Sequence, residues 1–355
     1  MSIKPTFYML VGLSGSGKSF VAENLKGIYG KYIDIHSSDK IREELYGDAR
    51  VQKDHGKVFN LLHRRVRESL ANEQHVVYDA TNLSRKRRIG FLKQLEKIDC
   101  IKSCIIVATP FDDCVKNDLH RERTVGEEVI SRQREHFECP YFYEGWDAIN
   151  IVNMSETIKF QELDSIVESL RAVEHDNPHH NLSIGEHMIA AEHYCKKKHD
   201  YFIKVYSQRL PSPLFKESLD IEALEWNVDK WAIAKSVARY HDIGKGLTKR
   251  FCNTKGQPTE IAHYYNHHNV SAYEIVSRMR FVELRVEEAP AREWDFDIDQ
   301  YWFMVAALVG LHMEPFFRKD KVWEKFSKMI GNDLAEILLC FHEADTKADW
   351  EKDDD

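Results

Sequence analysis

Eight consecutive residues, Gly12-Leu13-Ser14-Gly15-Ser16-Gly17-Lys18-Ser19, fit the phosphate-binding loop pattern G-x-x-x-x-G-K-[ST] at each fixed position. Glycine at 12, 15 and 17 lets backbone close around a polyphosphate. The amides of the loop, those of Ser14 and Ser16 among them, and the helix that follows would stabilise its negative charge. Lys18 would reach the β- and γ-phosphates and the Ser19 hydroxyl would bind Mg²⁺, so ATP or GTP is the expected ligand. Further along, Asp39 and Arg42 stand three residues apart, on one face of a first helical turn. A carboxylate near a γ-phosphate can take the proton of an attacking hydroxyl. Ser38 or Asp39 would equally serve as a helix N-cap. Asp79 closes the apolar run Val76-Val77-Tyr78. From there it could hold the Mg²⁺ water shell or position the substrate hydroxyl. Arg121 and Arg123, in a basic stretch, could stabilise charge on a transferring phosphoryl group.

A second kind of chemistry is concentrated in the other half of the chain. Twelve of the 18 histidines lie there: His175, His179, His180, His187, His193, His199, His241, His263, His267, His268, His312 and His342. Imidazole with carboxylate suits Mn, Fe, Ni, Co or Zn rather than calcium. A metal held that way lowers the pKa of its water, and a second can clamp a phosphate oxygen. Ligands on separate helices must converge in a bundle core.

The elements that would position these groups follow from periodicity. Thr6–Val11, Tyr32–Ile35, Val76–Ala80, Cys104–Ala108 and Asp147–Val152 read as strands. Helices alternate with them, beginning with one that carries Phe20, Val21, Leu25 and Ile28 at helical spacing. Others are expected over Phe59–Leu70, Arg85–Leu95 and Lys116–Arg123. That alternation predicts an α/β domain, a parallel sheet with helices on both faces. After a helix over Gln161–Val173 the chain reads as helices only, at Glu186–His199, Ile221–Leu224, Lys230–Tyr240, Ser271–Met279, Asp299–Leu311 and Asn332–Ala344. The expected division is an α/β domain over 1–155, a helical linker over 156–178, an all-α domain over 179–350 and an acidic tail over 351–355.

Composition narrows the classes. With 355 residues, 43% hydrophobic and 30% charged, the chain suits a globular protein of about two domains. No apolar run approaches the roughly 20 residues that span a bilayer, so no membrane partner is expected. The N-terminus passes almost at once into a β-prone stretch, so no cleaved signal peptide is expected. Seven scattered cysteines without C-x-x-C argue for reduced thiols in a cytoplasm. A net charge of −8 excludes a generally basic nucleic-acid binder, so contact with a polyanion must be local. The local basic stretches are 85–88, 121–134 and 196–198, each as readily a solvated helix face.

The order G-x-x-G-S-G-K-S, S-S-D-x-x-R, D-A-T-N-L and R-x-R-x-V is similar to the P-loop polynucleotide kinase family, over about residues 5–152. The resemblance implies phosphorylation of 5′-hydroxyl ends of RNA or DNA with ATP. It gives Lys18 and Ser19 the nucleotide and metal, and makes Asp39 the general base. Arg42 would contact the acceptor phosphate, Asp79 would position the substrate, and Arg121 or Arg123 would be the lid arginine. In the second half, Arg239-Tyr240-His241-Asp242-Ile243-Gly244-Lys245 resembles the HD phosphohydrolase superfamily, and the rest of its pattern follows in order over about 180–350. That resemblance implies a first metal on His187, His241, Asp242 and Asp345. A second would lie on His267 and His312, with Asp242 bridging and His180 and Lys245 touching phosphate.

Joined, the halves read as an RNA end-healing enzyme. One site would phosphorylate a 5′-hydroxyl using ATP and Mg²⁺. The other would use one or two metals such as Mn²⁺ to open a 2′,3′-cyclic phosphate or remove a terminal 2′- or 3′-phosphate. An RNA ligase would act downstream. Two rivals remain: a small-molecule or nucleoside kinase fused to an HD nucleotidase, and an ATP-gated binding module without turnover.

Overall fold

The computed structural model describes residues 4–51, 53–155, 162–178, 180–209, 219–279, 282–285 and 298–348. His179, the acidic tail 351–355 and the start of the expected linker, 156–161, lie outside the described residues. The chain folds as two compact units, 1–158 with 276–300, and 159–275 with 301–355.

The first unit is built on β1 (Thr6–Val11), whose apolar residues are buried on both faces. A strand buried on both faces belongs in the middle of a parallel sheet covered by helices, and β1 is there. Around it lie α1 (Lys18–Tyr29), β2 (Ile33–Ser37), α2 (Ser38–Tyr46), α3 (His55–Ala71), β3 (His75–Asp79), α4 (Arg85–Leu92), β4 (Ile101–Val107), α5 (Phe111–Leu119), α6 (Glu127–Glu135) and β5 (Ala148–Val152). The order is β2-β3-β1-β4-β5, all parallel. Successive strands go first to one side of β1 and then to the other. This opens a crevice at their carboxyl ends, where ligands bind in such sheets.

Three details depart from the sequence reading. On α1 only Val21 and Ala22 are fully buried, while Phe20 and Ile28 are 57% and 75% exposed, so the apolar face is narrower than its spacing suggests. Arg88, in the basic stretch 85–88, is not a surface cation. Its guanidinium is buried, paired bidentately with Glu144 at 2.6 and 2.8 Å, and it donates to the carbonyls of Asn82, Leu83 and Glu138. A sixth strand, Val282–Arg285, comes from the part of the chain expected to be helical and pairs antiparallel with β5. It covers a backbone edge that β5 would otherwise leave unpaired, and so draws 276–300 into this unit rather than the helical one.

The second unit is mainly helical: α7 (Glu162–Leu170), α8 (Ile184–Arg209), α9 (Leu219–Tyr240), α10 (Lys245–Thr248), α11 (His267–Val276), α12 (Ile298–Leu311), α13 (Glu314–Phe317), α14 (Asp320–Ile330) and α15 (Asn332–Ala348). It is not all-α, because β6 (Arg250–Cys252) and β7 (Pro258–His263) form an antiparallel pair. Turn residues Asn253 and Gly256 close that hairpin, Gly256 donating to the Asn253 carbonyl at 2.9 Å. Ile221–Leu224 and Lys230–Tyr240, read as separate runs, form one helix, α9. Packing rests on α8, α9 and α15, with α12 apolar on nearly every face and buried from Phe303 to Val309. Ser183 and Glu186 cap α8 reciprocally, each side chain accepting from the other's backbone N–H at 3.3 Å. His187 follows at once. All seven cysteines are free thiols. Among the described residues no helix is long and apolar enough to cross a membrane.

Candidate active sites

The loop after β1 lines a cleft of about 700 Å³ in the first unit, with Asp39, Arg42, Asp79, Arg121 and Arg123. The loop has no room to be otherwise. Gly15 has φ +77°, and a Cβ there would stand 2.1 Å from the Cys114 carbonyl oxygen; at Gly12 it would stand 2.6 Å from that of Val107. Asn117 donates to the Gly15 carbonyl at 3.0 Å, Thr109 to that of Ser16 at 2.8 Å, and Lys18 Nζ to that of Leu13 at 2.6 Å. Gly17, in the left-handed region at φ 96°, precedes Lys18, the first residue of α1, and Ser19 is exposed beside it.

Opposite the loop, Ser37 caps α2 by accepting from the Asp39 N–H at 3.3 Å; neither Ser38 nor Asp39 is the cap. That frees the Asp39 carboxylate. It receives Arg42 Nη1 on one oxygen at 2.8 Å and faces Arg123 Nη1 at 3.4 Å from the other. Arg42 is buried, which fixes its fork; Arg121 is more exposed and stands 3.8 Å from Asp118. Both candidate lid arginines lie beyond the end of α5, in the segment leading to α6, not on a helix that runs to residue 123. Burial raises the pKa of Asp79, opposed by Lys18, and burial lowers that of Lys18, opposed by Asp79. For both groups burial is the larger influence, and each only partly offsets it for the other.

One contact escaped the sequence reading. Gln133 of α6 clasps Ser14, accepting from its N–H at 2.7 Å and donating to its hydroxyl at 3.0 Å. Nothing local marks Gln133, since only folding α6 over the loop brings together residues 119 apart.

In the second unit, six residues from five segments converge. His187 is in the first turn of α8, His241 and Asp242 follow α9, His267 opens α11, His312 follows α12, and Asp345 is in α15. His187 Nε2 is 2.8 Å and His241 Nε2 is 3.2 Å from Asp345 Oδ1. Asp242 divides its oxygens. Oδ2 is 3.1 Å from His241 Nε2 and 2.6 Å from Lys245 Nζ, while Oδ1 is 3.2 Å from His267 Nε2 and 3.9 Å from His312 Nε2. His267 and His312 meet through Nε2 at 3.1 Å. Of the neighbours His267 and His268, it is therefore His267 that turns into the cluster.

The rings are oriented from behind. Nδ1 of His241, His267 and His312 meets the carbonyls of Ala238, Tyr264 and Val309 at 2.9, 2.8 and 2.8 Å. With Nδ1 held by a carbonyl, Nε2 is the nitrogen that faces inward and can offer a lone pair once its proton leaves, which is the arrangement metal-binding histidines use. Close approach of α11 depends on Gly244, where a Cβ would stand 2.4 Å from the His267 carbonyl oxygen. Lys245 also reaches His175 Nε2 at 3.2 Å, and the His175 ring stacks on His180 at 4.0 Å.

These residues fit a divalent metal. Both Asp242 oxygens are buried with no aligned hydrogen-bond donor, although three cationic or ring nitrogens lie within 3.2 Å. Two ligand sets sharing Asp242 emerge, His187 with His241 and His267 with His312. Burial opposes charge on Asp242, but His241 and Lys245 outweigh it and hold the carboxyl well below its usual range. Burial likewise opposes charge on His241, yet Asp242 and Asp345 raise it to about 10. Burial keeps His312 neutral.

Comparison with known proteins gives a family match inside the first unit. The AAA domain family matches residues 7–140. An L-seryl-tRNA(Sec) kinase of Methanococcus maripaludis is 29% identical over 191 residues, 51% of this chain and 69% of that one. Among solved structures, a Pnkp1/Rnl/Hen1 complex aligns at 24% identity and a TM-score of 0.29, over 34% of this chain and 40% of that one. A gluconokinase from Sinorhizobium meliloti 1021 aligns at 20% identity and a TM-score of 0.32, over 43% of this chain and 85% of that one. The chain thus spans well under two thirds of the Pnkp1 complex component it matches. The N-terminal part of the chain thus carries its phosphate loop on an α/β fold with a parallel sheet, matched by the AAA domain family over residues 7–140, and it is followed by a mainly helical region.

Proposed function

We propose that this protein heals RNA ends, phosphorylating a 5′-hydroxyl at the first site and hydrolysing a 2′,3′-cyclic or terminal 2′- or 3′-phosphate at the second, ahead of an RNA ligase. The observation that carries the reading is that one chain holds two separate sets of groups suited to phosphate. One is a phosphate loop facing Asp39 between two arginines; the other is a buried histidine–carboxylate cluster.

At the first site, the amides from Ser14 to Ser19 and Lys18 would hold the phosphates of ATP, and Ser19 would hold Mg²⁺. Asp39 accepts the proton of the 5′-hydroxyl as its oxygen bonds to the γ-phosphorus and the bond to the ADP oxygen breaks. Arg42, buried and rigid, binds the phosphate next to the acceptor. Arg123 faces Asp39 and is therefore the better situated of the two arginines to stabilise charge on the transferring group. Asp79 orients the hydroxyl.

At the second site, His187, His241, Asp242 and Asp345 would hold one metal, and Asp242, His267 and His312 a second. When bound, such a metal supplies a hydroxide nucleophile near neutral pH. The chain's own groups do the rest: carbonyls fix the tautomers of His241, His267 and His312, Lys245 and His180 attract the phosphate, and burial excludes bulk water.

A second reading has its own support. The seryl-tRNA kinase relative is named for an acceptor carried on tRNA rather than an RNA end. The deciding experiment uses one RNA with a 5′-hydroxyl and a 2′,3′-cyclic phosphate, incubated with ATP, Mg²⁺ and Mn²⁺, both ends identified by mass. Gain of a 5′-phosphate and loss of the cyclic phosphate are expected. No change at either end while ATP binds would reject the polynucleotide reading and direct the search to nucleosides, aminoacyl groups and small alcohols.

A further inference from the structure

We propose that Met313 and Phe316 form a nucleobase shelf beside the histidine cluster, so that this site takes a phosphate carried on a nucleoside rather than any small phosphate ester. The inference rests on the reading of the cluster as a phosphohydrolase site.

The cluster opens into a pocket of about 310 Å³, the size at which small-ligand sites begin. Its lining is two-sided. The ring nitrogens and carboxylates with Lys245 make one part, suited to a phosphate, and Met313 and Phe316 make an apolar part. The apolar part has no role in holding a metal or a phosphate. Nor is Phe316 part of the buried core: it is half-buried, whereas Phe303, Phe326 and Phe341 of the same unit are buried. Its ring is nevertheless held still. Pro315 stiffens the first turn of α13, Phe316 N–H donates to the Met313 carbonyl at 3.2 Å, and the ring meets His342 at 4.2 Å and 83°. A half-exposed aromatic ring set against His342, with a methionine also lining the pocket, suits a flat, polarisable ligand, as in stacking platforms for bases. Thr346 also lines the pocket, but its hydroxyl is tied to the His342 carbonyl. Stacking therefore dominates over reading of the base edge, and all four bases are accepted with little preference.

The test is equilibrium binding by calorimetry to the full-length protein in EDTA buffer, where the proposed hydrolysis cannot consume the ligand. Adenosine 3′-phosphate is compared with ribose 5-phosphate, for wild type, Phe316→Ala and Phe316→Trp. Wild type is expected to bind the nucleotide about tenfold more tightly or better. Phe316→Ala should erase that margin without weakening ribose phosphate, and Phe316→Trp should keep it. Equal affinities in wild type, or an equal loss for both ligands in Phe316→Ala, would overturn the shelf. If Phe316→Ala does not fold, Met313→Ala is read in the same way. Preference for the nucleotide with no hydrolysis of cyclic phosphate would leave the shelf standing and overturn the hydrolase reading instead.

Discussion

The two candidate sites both suit phosphate, yet they are made of different material. The first is mainly backbone: loop amides forced into place by glycines that no side chain could replace, with cations arranged around an accessible cleft. The second is side chain throughout, with buried rings, three of them braced from behind by carbonyls, gathered around the buried Asp242. A backbone site depends on local conformation and is indifferent to most neighbours. A side-chain cluster depends on several helices arriving at once, and on every buried charge finding a counterpart.

If that contrast is correct, each site fails alone. The largest effect is expected for Asp39→Asn, which should lower phosphoryl transfer by about 10²–10⁴-fold while ATP binding, followed by calorimetry, is kept. Normal transfer would remove Asp39 from the role of base. Asp242→Asn should reduce hydrolysis and Mn²⁺ affinity by more than about 100-fold, since even partners one shell further out are worth 10–100-fold. Phosphoryl transfer in the same variant should stay within error, because the two sites share no residue. Loss of both would argue for unfolding.

Smaller effects sharpen the contrast through stability. Arg88→Met leaves Glu144 buried without its partner, and should cost the first unit about 3–5 kcal/mol in denaturant unfolding. A cost below about 1 kcal/mol would mean Glu144 takes up a proton or reaches water. The smallest effect is with acid. Burial, against Phe91 and near the Tyr78 hydroxyl, holds His63 down to about 4, below its ordinary 6.5. The folded form thus keeps His63 neutral where an unfolded chain would protonate it. Its contribution is complete above pH 6.5 and is lost as pH falls toward about 4. The melting temperature should fall across that window, and less steeply in His63→Gln.

The same contrast explains what could be read from the sequence. The loop is contiguous, so Gly12 to Ser19 announce it, and the five parallel strands follow from apolar runs alternating with helices. The cluster is scattered over about 160 residues, from His187 to Asp345, and only the order of its members marks it. What stayed hidden depends on tertiary approach. Gln133 and Ser14 meet across the fold, and Arg88 looks like its basic neighbours until Glu144, itself held by the Trp146 ring N–H, pairs with it. Val282–Arg285 is too short to read as a strand until β5 offers an edge.

That late strand also sets a timetable. A chain emerging from a ribosome presents β1 to β5 early, but the segment that finishes their sheet is made only after most of the helical unit's residues. Until then β5 has an open edge able to pair with another nascent chain. Cutting the gene after residue 155 would make that interval permanent, so a kinase fragment ending there should be more prone to self-association than the full chain.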